Sequence, residues 1–530
     1  MVKQRNDRLW RSKVYSGISL RAGALLCGLV IGAFSSADEA SAGSAQPNAK
    51  VTFEPCQQAK HGTAFYGAQC TQIQLPANDT SPAATLNVLR ARARSEPSDD
   101  PLVVITGGPG TAAVGLAWQY LRFFHKVQAE RDILFIDQRG TGKSQPFDCP
   151  AANELDQNLP GTQLVAEMNR ALAECAQNYG QSPGALEAIT TRQAALDIEA
   201  VRRQLGYRQV NLWGSSYGTR VAMEYQHLFP TTSRTVTLDG VAPGAIALPH
   251  YAEYDAAHAL QHLFETCAQQ PACHKTFDNL AVKWRDTIAR LTHAPSKVKL
   301  AHPRTQETLE ITITAPLLAN WARFALYSRE LAALLPMAIN AAYQGDYHPL
   351  SNLAQIASDS VSEGMSYGMH AAILCAEDRH APKVTRAGAG NLPNLPFSEL
   401  NDLSAACRAM PLPDHAAINS LFTPITSAIP TLALSGQFDP VTPPFWADWA
   451  ISKLSHAKHI VVAGGHHGVT GLGCLPNLIA EFIDAANFSE LDTTCVQQIK
   501  ATAFFIDGAG PDLLAPSTSS AATDKDPARD

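Results

Sequence analysis

The sequence predicts an α/β fold on a mainly parallel sheet, and three observations carry that expectation. Short apolar runs rich in branched residues alternate with longer helical patterns, each run stops at glycine or aspartate, and the composition suits a large core. Hydrophobic residues make up 45% of the 530 and charged residues 17%, which excludes a disordered chain and a coiled coil. The net charge of −7 gives no electrostatic footprint for nucleic acid. The 34 glycines and 34 prolines are scattered, which excludes collagen-like and repeat architectures.

The first 42 residues read as an address. Lys3, Arg5, Arg8, Arg11, Lys13 and Arg21 precede an apolar run from Ala22 to Phe34, and Ala40-Ser41-Ala42 fits a small-x-small cleavage site. The run is too short to cross a bilayer core comfortably. Leu26 stands before Cys27 where a lipoprotein needs a small residue. A cleaved export signal over residues 1–42 is therefore expected, with a periplasmic or secreted product and no stable membrane insertion after cleavage. Of 11 cysteines only Cys27 lies in the signal, and the even remainder suits disulfides in an oxidising compartment. Short separations propose Cys56–Cys70, Cys149–Cys175, Cys267–Cys273, Cys375–Cys407 and Cys474–Cys495, with connectivity left open by sequence alone. No Cys-x-x-Cys pair supports a zinc ribbon or a thioredoxin-like site.

After a polar linker at 43–50, strands are expected at Leu102–Ile105, Ile133–Ile136, Val210–Trp213, Thr235–Leu238, Thr431–Leu434 and His459–Val462. A helix is expected from Thr190 to Leu205, leading into the strand at Val210. The stretch between the fourth and fifth strands is far longer than a crossover needs and is dominated by helical patterns, as at His258–Ala268 and Leu317–Ala342. Residues 43–244 and 426–507 thus read as two parts of one core, 245–425 as an inserted, mostly helical cap, and 508–530 as a disordered tail.

Gly214-Ser215-Ser216-Tyr217-Gly218 follows a predicted strand and precedes a helical segment, the setting of a G-x-S-x-G nucleophile elbow. Ser216 is the candidate nucleophile. A serine hydroxyl needs a base to take its proton and an acid to orient that base. Asp439 follows one late strand and is the candidate acid. Gly464-Gly465-His466-His467-Gly468 follows the next, with His467 favoured as base and His466 as the alternative. The adjacent histidines have no H-E-x-x-H setting and no third ligand at recognisable spacing, so neither metal nor cofactor is expected. For the oxyanion, the amide of Tyr217 and that of Gly108, in Thr106-Gly107-Gly108-Pro109-Gly110, are the expected donors. Thr141-Gly142-Lys143-Ser144 lacks the first glycine of a phosphate-binding loop, since Asp137 stands there.

Gly107 to Gly110, Asp137-Gln138-Arg139-Gly140-Thr141-Gly142-Lys143-Ser144, the elbow, and Ser435-Gly436 with Asp439-Pro440-Val441-Thr442-Pro443-Pro444 together resemble the prolyl aminopeptidase and secreted tripeptidyl aminopeptidase branch of the α/β-hydrolase fold. The resemblance spans about residues 51–245 and 425–500. It implies an α/β-hydrolase fold and a bracing role for Asp137 to Ser144. Thr106, where prolyl aminopeptidases usually carry histidine, is closer to the secreted tripeptidyl members, as are the signal and the cysteines. Cys375-Ala376-Glu377-Asp378 resembles an acidic segment of those members, which implies that Glu377 and Asp378 bind the substrate ammonium. The function expected is an exported serine exopeptidase acting on peptides with a free N-terminus. A secreted carboxylesterase with the same triad is the alternative, and a non-catalytic binding protein on the same scaffold a third.

Overall fold

Runs that are apolar on both faces demand cover on both sides, and the chain supplies it. The structure, a computed structural model, describes residues 51–511 except 57–58, 61–62, 65–66, 79–80, 156–160, 302–305, 307, 363, 385–391 and 411–417. The expected signal with Cys27, the linker at 43–50 and residues 512–530 of the expected tail lie outside the described residues.

Strands β1 (Ala68–Leu75) and β2 (Ala84–Ala91) pair antiparallel, and β2 runs antiparallel to β4 (Ile133–Ile136). The rest is parallel: β4 beside β3 (Leu102–Ile105), then β5 (Val210–Ser215), β6 (Ser233–Asp239), β7 (Thr431–Gly436) and β8 (Ala457–Val462). The order is β1-β2-β4-β3-β5-β6-β7-β8, with the two-residue strand Glu54–Pro55 outside β1. The six strands expected from sequence all lie in this sheet. β1 and β2 escaped because their runs, AQCTQIQL and ATLNVLRA, interleave polar residues as antiparallel edge strands do.

Helices α1 (Gly161–Tyr179), α2 (Thr191–Leu205) and α3 (Tyr217–Leu228) belong to the core. The Thr190 hydroxyl caps α2 by accepting from Gln193 N, and Gly206 ends it at φ 80°. Ile198, Val201 and Val221 pack on one sheet face, and Trp213, Phe124 and Phe482 on the other.

Between β6 and β7 the chain builds a second apolar cluster around Leu260, Trp284, Leu318, Ile339 and Leu350. It includes α4 (Leu248–Gln269) and α5 (Ala315–Ala325), whereas Met369, Ala372 and Ile373 of α6 (Tyr367–Ala376) pack in the core cluster with Ile198 and Val221. It also includes an antiparallel hairpin, Ser296–Ala301 with Thr308–Ile313, whose alternation (Lys-Val-Lys-Leu, Leu-Glu-Ile-Thr-Ile) is a strand signal inside a helical region. The helical stretch expected over Leu317–Ala342 divides into three pieces. Ser328 caps the second and Pro336 sits in the first turn of the third, because proline cannot donate inside a helix.

The five disulfides are Cys56–Cys70, Cys149–Cys175, Cys267–Cys273, Cys375–Cys407 and Cys474–Cys495, with Cα separations of 5.1–6.4 Å. They are the pairs that short spacing proposed, and they point to an oxidising compartment. No described helix is long and apolar enough to cross a membrane.

Candidate active site

Ser216 joins β5 to α3 with φ 54° and ψ −125°, a conformation that costs a non-glycine residue on the order of 1–3 kcal/mol. Its neighbours explain why the turn demands glycine. A Cβ on Gly214 would stand 2.4 Å from Gly218 O, and one on Gly218 2.2 Å from Ile105 O. The strain is held by backbone: Ser216 N donates to Asp239 O at 2.9 Å, and Thr219 N and Oγ1 donate to Ser216 O at 2.9 and 2.6 Å. The half-buried hydroxyl makes no hydrogen bond to a described residue.

The Asp439 carboxylate, at the turn after β7, is fully buried and fully used. Oδ1 accepts from the amides of Val441 and Thr442, both at 2.8 Å, and Oδ2 from Thr442 Oγ1 at 2.7 Å. His467 Nδ1 spans both oxygens at 2.9 and 3.1 Å. Burial works to raise the Asp439 carboxyl, but the imidazole and the Thr442 donors outweigh it and hold it below its ordinary value. Burial works to lower the His467 imidazole, and Asp439 outweighs it, so the ring sits above 6.5. The two shifts describe one pair. His466 turns elsewhere: its Nδ1 bonds Leu326 O at 2.6 Å, its ring stacks on Phe438 at 5.2 Å, and burial lowers its pKa. Only His467 of the two meets Asp439.

Two supports had not been read from sequence. Asp239, the last residue of β6, accepts from Val469 N and Thr470 N and so fixes the loop that carries His467. Gly240 follows it at φ 67°, so close to His467 that a Cβ would stand 3.4 Å from the ring. The chain that receives Ser216 N therefore also borders the imidazole. The other support is Thr442, inside the Asp-Pro-Val-Thr run, whose hydroxyl also lies 3.2 Å from His467 Nδ1. Its signal was a hydroxyl three residues after the acid.

Across from the elbow, a Cβ on Gly107 would stand 2.8 Å from Ser216 Cβ, so backbone approaches the serine as closely as it can. Gly108 follows at φ 109°, and Thr106 Oγ1 donates to Thr111 O at 2.6 Å to close the turn. His370 Nδ1 lies 3.0 Å from Pro109 O. Tyr217 N belongs to the first turn of α3, where helix amides lack intrahelical acceptors. The Asp137 segment braces this side. Asp137 accepts from Val114 N (2.9 Å), Asn87 Nδ2 (2.7 Å) and Lys143 N (3.2 Å), and Arg139 pairs with buried Asp197 at 2.7 Å.

Glu377 and Asp378 stand differently from the expectation that they bind an ammonium. Both carboxylates are wholly buried, and Arg220 Nη1 donates to Asp378 Oδ1 at 2.6 Å and Glu377 Oε2 at 3.2 Å. Thr191 N and Oγ1, each at 2.7 Å, donate to the two Glu377 oxygens, and Thr191 Oγ1 lies 3.0 Å from Tyr217 Oη. Burial raises the Glu377 carboxyl, opposed by Arg220 and Thr191. The pair clamps α2, α3 and the end of α6 together, with neither carboxylate open to solvent. A second Ser–His–Asp chain is also closed. His459 lies 2.9 Å from Ser435 Oγ and 2.8 Å from Asp448, but Ser435 is fully buried within β7.

An alpha/beta hydrolase fold family model matches residues 100–290. With the strand order and the elbow, that decides the fold. The chain has the α/β-hydrolase fold. A second model, described as TAP-like protein, matches residues 397–495 of this hydrolase, the stretch holding Asp439 and His467. The hydrolase is 25% identical over 479 residues to "Serine protease Hip1" of Mycobacterium tuberculosis (strain ATCC 25618 / H37Rv), covering 82% of this chain and 88% of that one. It is 28% identical over 196 residues to "Tripeptidyl aminopeptidase" of Streptomyces lividans, 33% of this chain and 35% of that one.

Proposed function

We propose that this hydrolase is an exported serine exopeptidase that cleaves peptide bonds near free N-termini through an acyl-enzyme on Ser216. Ser216 Oγ attacks the scissile carbonyl while His467 Nε2 takes its proton. The amides of Gly108 and Tyr217 receive the oxyanion. His467 then gives the proton to the leaving amine, and water repeats the sequence to free the acyl group. Asp439 holds the ring with Nδ1–H towards it, which leaves Nε2 as the base.

The observation that carries this reading is His467 Nδ1 against both oxygens of buried Asp439, on a loop tied through Asp239 to the backbone of Ser216. Relatives named as a serine protease and a tripeptidyl aminopeptidase support peptide as substrate. The five disulfides and the basic–apolar leader support export.

The carboxylesterase reading is favoured by one observation, the closure of Glu377 and Asp378, which leaves neither to meet a substrate ammonium. The two readings part on substrates. A fluorophosphonate probe should label the wild type and spare Ser216→Ala. A peptide amide with a free N-terminus should then be cleaved well ahead of its N-acetylated form. Ester hydrolysis without peptide cleavage would select the esterase, and labelling that survives Ser216→Ala would end both.

A further inference from the structure

Arg323 stands near the end of α5, one turn before Tyr327. Its Nη2 donates to Tyr327 Oη at 3.0 Å, and its guanidinium lies 5.6, 5.5 and 5.3 Å from the ring centroids of Phe324, Tyr327 and Phe397. The other inward arginines are matched by carboxylates: Arg131 by Asp100, Arg139 by Asp197, and Arg220 by Glu377 and Asp378. Among the described residues no carboxylate lies within ion-pair distance of Arg323, and its buried Nε has no hydrogen-bond partner. A half-buried cation held only by rings and a phenol keeps most of its donor capacity unspent.

Its position gives that capacity a direction. The Tyr327 ring meets the His467 ring at 5.3 Å and 71°, and Leu326 O bonds His466, so the end of α5 is fastened to the histidine loop. The charge of Arg323 is near enough to weigh, after burial, against protonation of both His370 and His467. In acyl transfer the imidazole hands its proton to the leaving amine, so whatever lines the far side of His467 lines the leaving group.

We propose that Arg323 is a substrate-binding residue that takes a carboxylate on the leaving-group side of the scissile bond, with Tyr327 holding the guanidinium in place. The inference rests on the acyl-transfer reading above. A planar guanidinium meets a carboxylate through two parallel hydrogen bonds, a geometry that a carboxamide reproduces only in part. The carboxylate comes either from the α-carboxyl of a short peptide or from an acidic side chain just past the cleaved bond. The first source confines the enzyme to short peptides, and the second selects a sequence.

The test compares kcat/KM for peptides of one sequence with a free N-terminus. One ends just past the scissile bond as the free acid and one as the carboxamide, and two further carboxamides carry Asp or Asn at that position. Wild type should favour the free acid over its amide, or Asp over Asn, by about tenfold or more, and whichever contrast appears names the source. Arg323→Gln should bring that ratio close to one, while Arg323→Lys keeps part of it. Equal rates for acid and amide and for Asp and Asn in wild type overturn the proposal, even if the Gln variant does not fold. An equal loss on all four peptides in Arg323→Gln also overturns it, since the arginine would then serve only the rings. Failure of the underlying reading looks different: peptide turnover would survive Ser216→Ala, whereas failure here leaves Ser216-dependent turnover without a charge preference.

Discussion

Asp239 accepts the amide of Val469 with both carboxylate oxygens, at 2.9 and 3.0 Å, and so joins the end of β6 to the loop two residues past His467. Its own carbonyl takes Ser216 N, so one residue locates the proposed nucleophile and the proposed base together. Asp239→Ala leaves the Val469 and Thr470 amides buried without acceptors, a loss of about 1–3 kcal/mol for each. Asp239→Asn keeps one acceptor and should still fold. Its kcat should fall about tenfold or more with KM nearly unchanged, because only the alignment of His467 is disturbed. Steady-state kinetics on a single substrate check this, and an unaltered kcat would remove Asp239 from the machinery.

The pH profile follows from the His467–Asp439 pair. In the proposed mechanism the base works as neutral imidazole, and Asp439 overcomes burial to raise its pKa, so activity should be lost as pH falls through a midpoint above the 6.5 ordinary for imidazole. Removing the carboxylate charge removes the raising interaction. Asp439→Asn should therefore move that midpoint down while lowering kcat by roughly 10³–10⁴-fold, since the amide no longer holds the productive tautomer. A kcat/KM profile of both proteins from mildly acid to mildly alkaline pH decides it. A midpoint that stays put in the variant would detach the acid limb from His467.

How much of this was legible depends on whether a residue acts through local pattern or through distant closure. Ser216 was legible because strand, tight turn and helix are all local, and the glycines are forced by contacts within the turn and with the neighbouring strand β3. Asp439 and His467 were legible as polar residues at the ends of apolar runs, and which histidine meets Asp439 was not. Leu326 takes His466 from 140 residues away, and His467 is the one that reaches the carboxylate. Thr442 was hidden in a turn that proline already explained. Arg323 and Tyr327 were two residues in a helical pattern, and only the docking of α5 onto the histidine loop gives them meaning. Glu377 and Asp378 illustrate the opposite hazard. An acidic pair reads as exposed until Arg220, 157 and 158 residues earlier, is seen to enclose it.

That enclosure makes Glu377 a stability residue. Glutamine offers one acceptor where Thr191 N, Thr191 Oγ1 and Arg220 now share two oxygens, so at least one buried donor loses its partner. Glu377→Gln should lower stability by about 1–3 kcal/mol while the ratio of KM values for free and N-acetylated peptides stays constant. Thermal melting beside kinetics on the two peptides separates the roles. A KM that rises for the free-amine peptide alone would return Glu377 to the substrate.

The Cys375–Cys407 bridge should govern the same region from the other side. It ties the end of α6, two residues before Glu377, to the short helix Ser404–Cys407 across a separation of 32 residues. Closing a loop of that length restricts the unfolded chain by about 3–4 kcal/mol. Cys375→Ala with Cys407→Ala should therefore lower the melting temperature of the folded enzyme by several degrees. The cost should fall short of additive with Glu377→Gln, because both changes loosen the end of α6, which Glu377 ties to Arg220. A double-mutant cycle of melting free energies measures the coupling. Strict additivity would mean that the bridge and the Glu377–Arg220 clamp hold the chain independently.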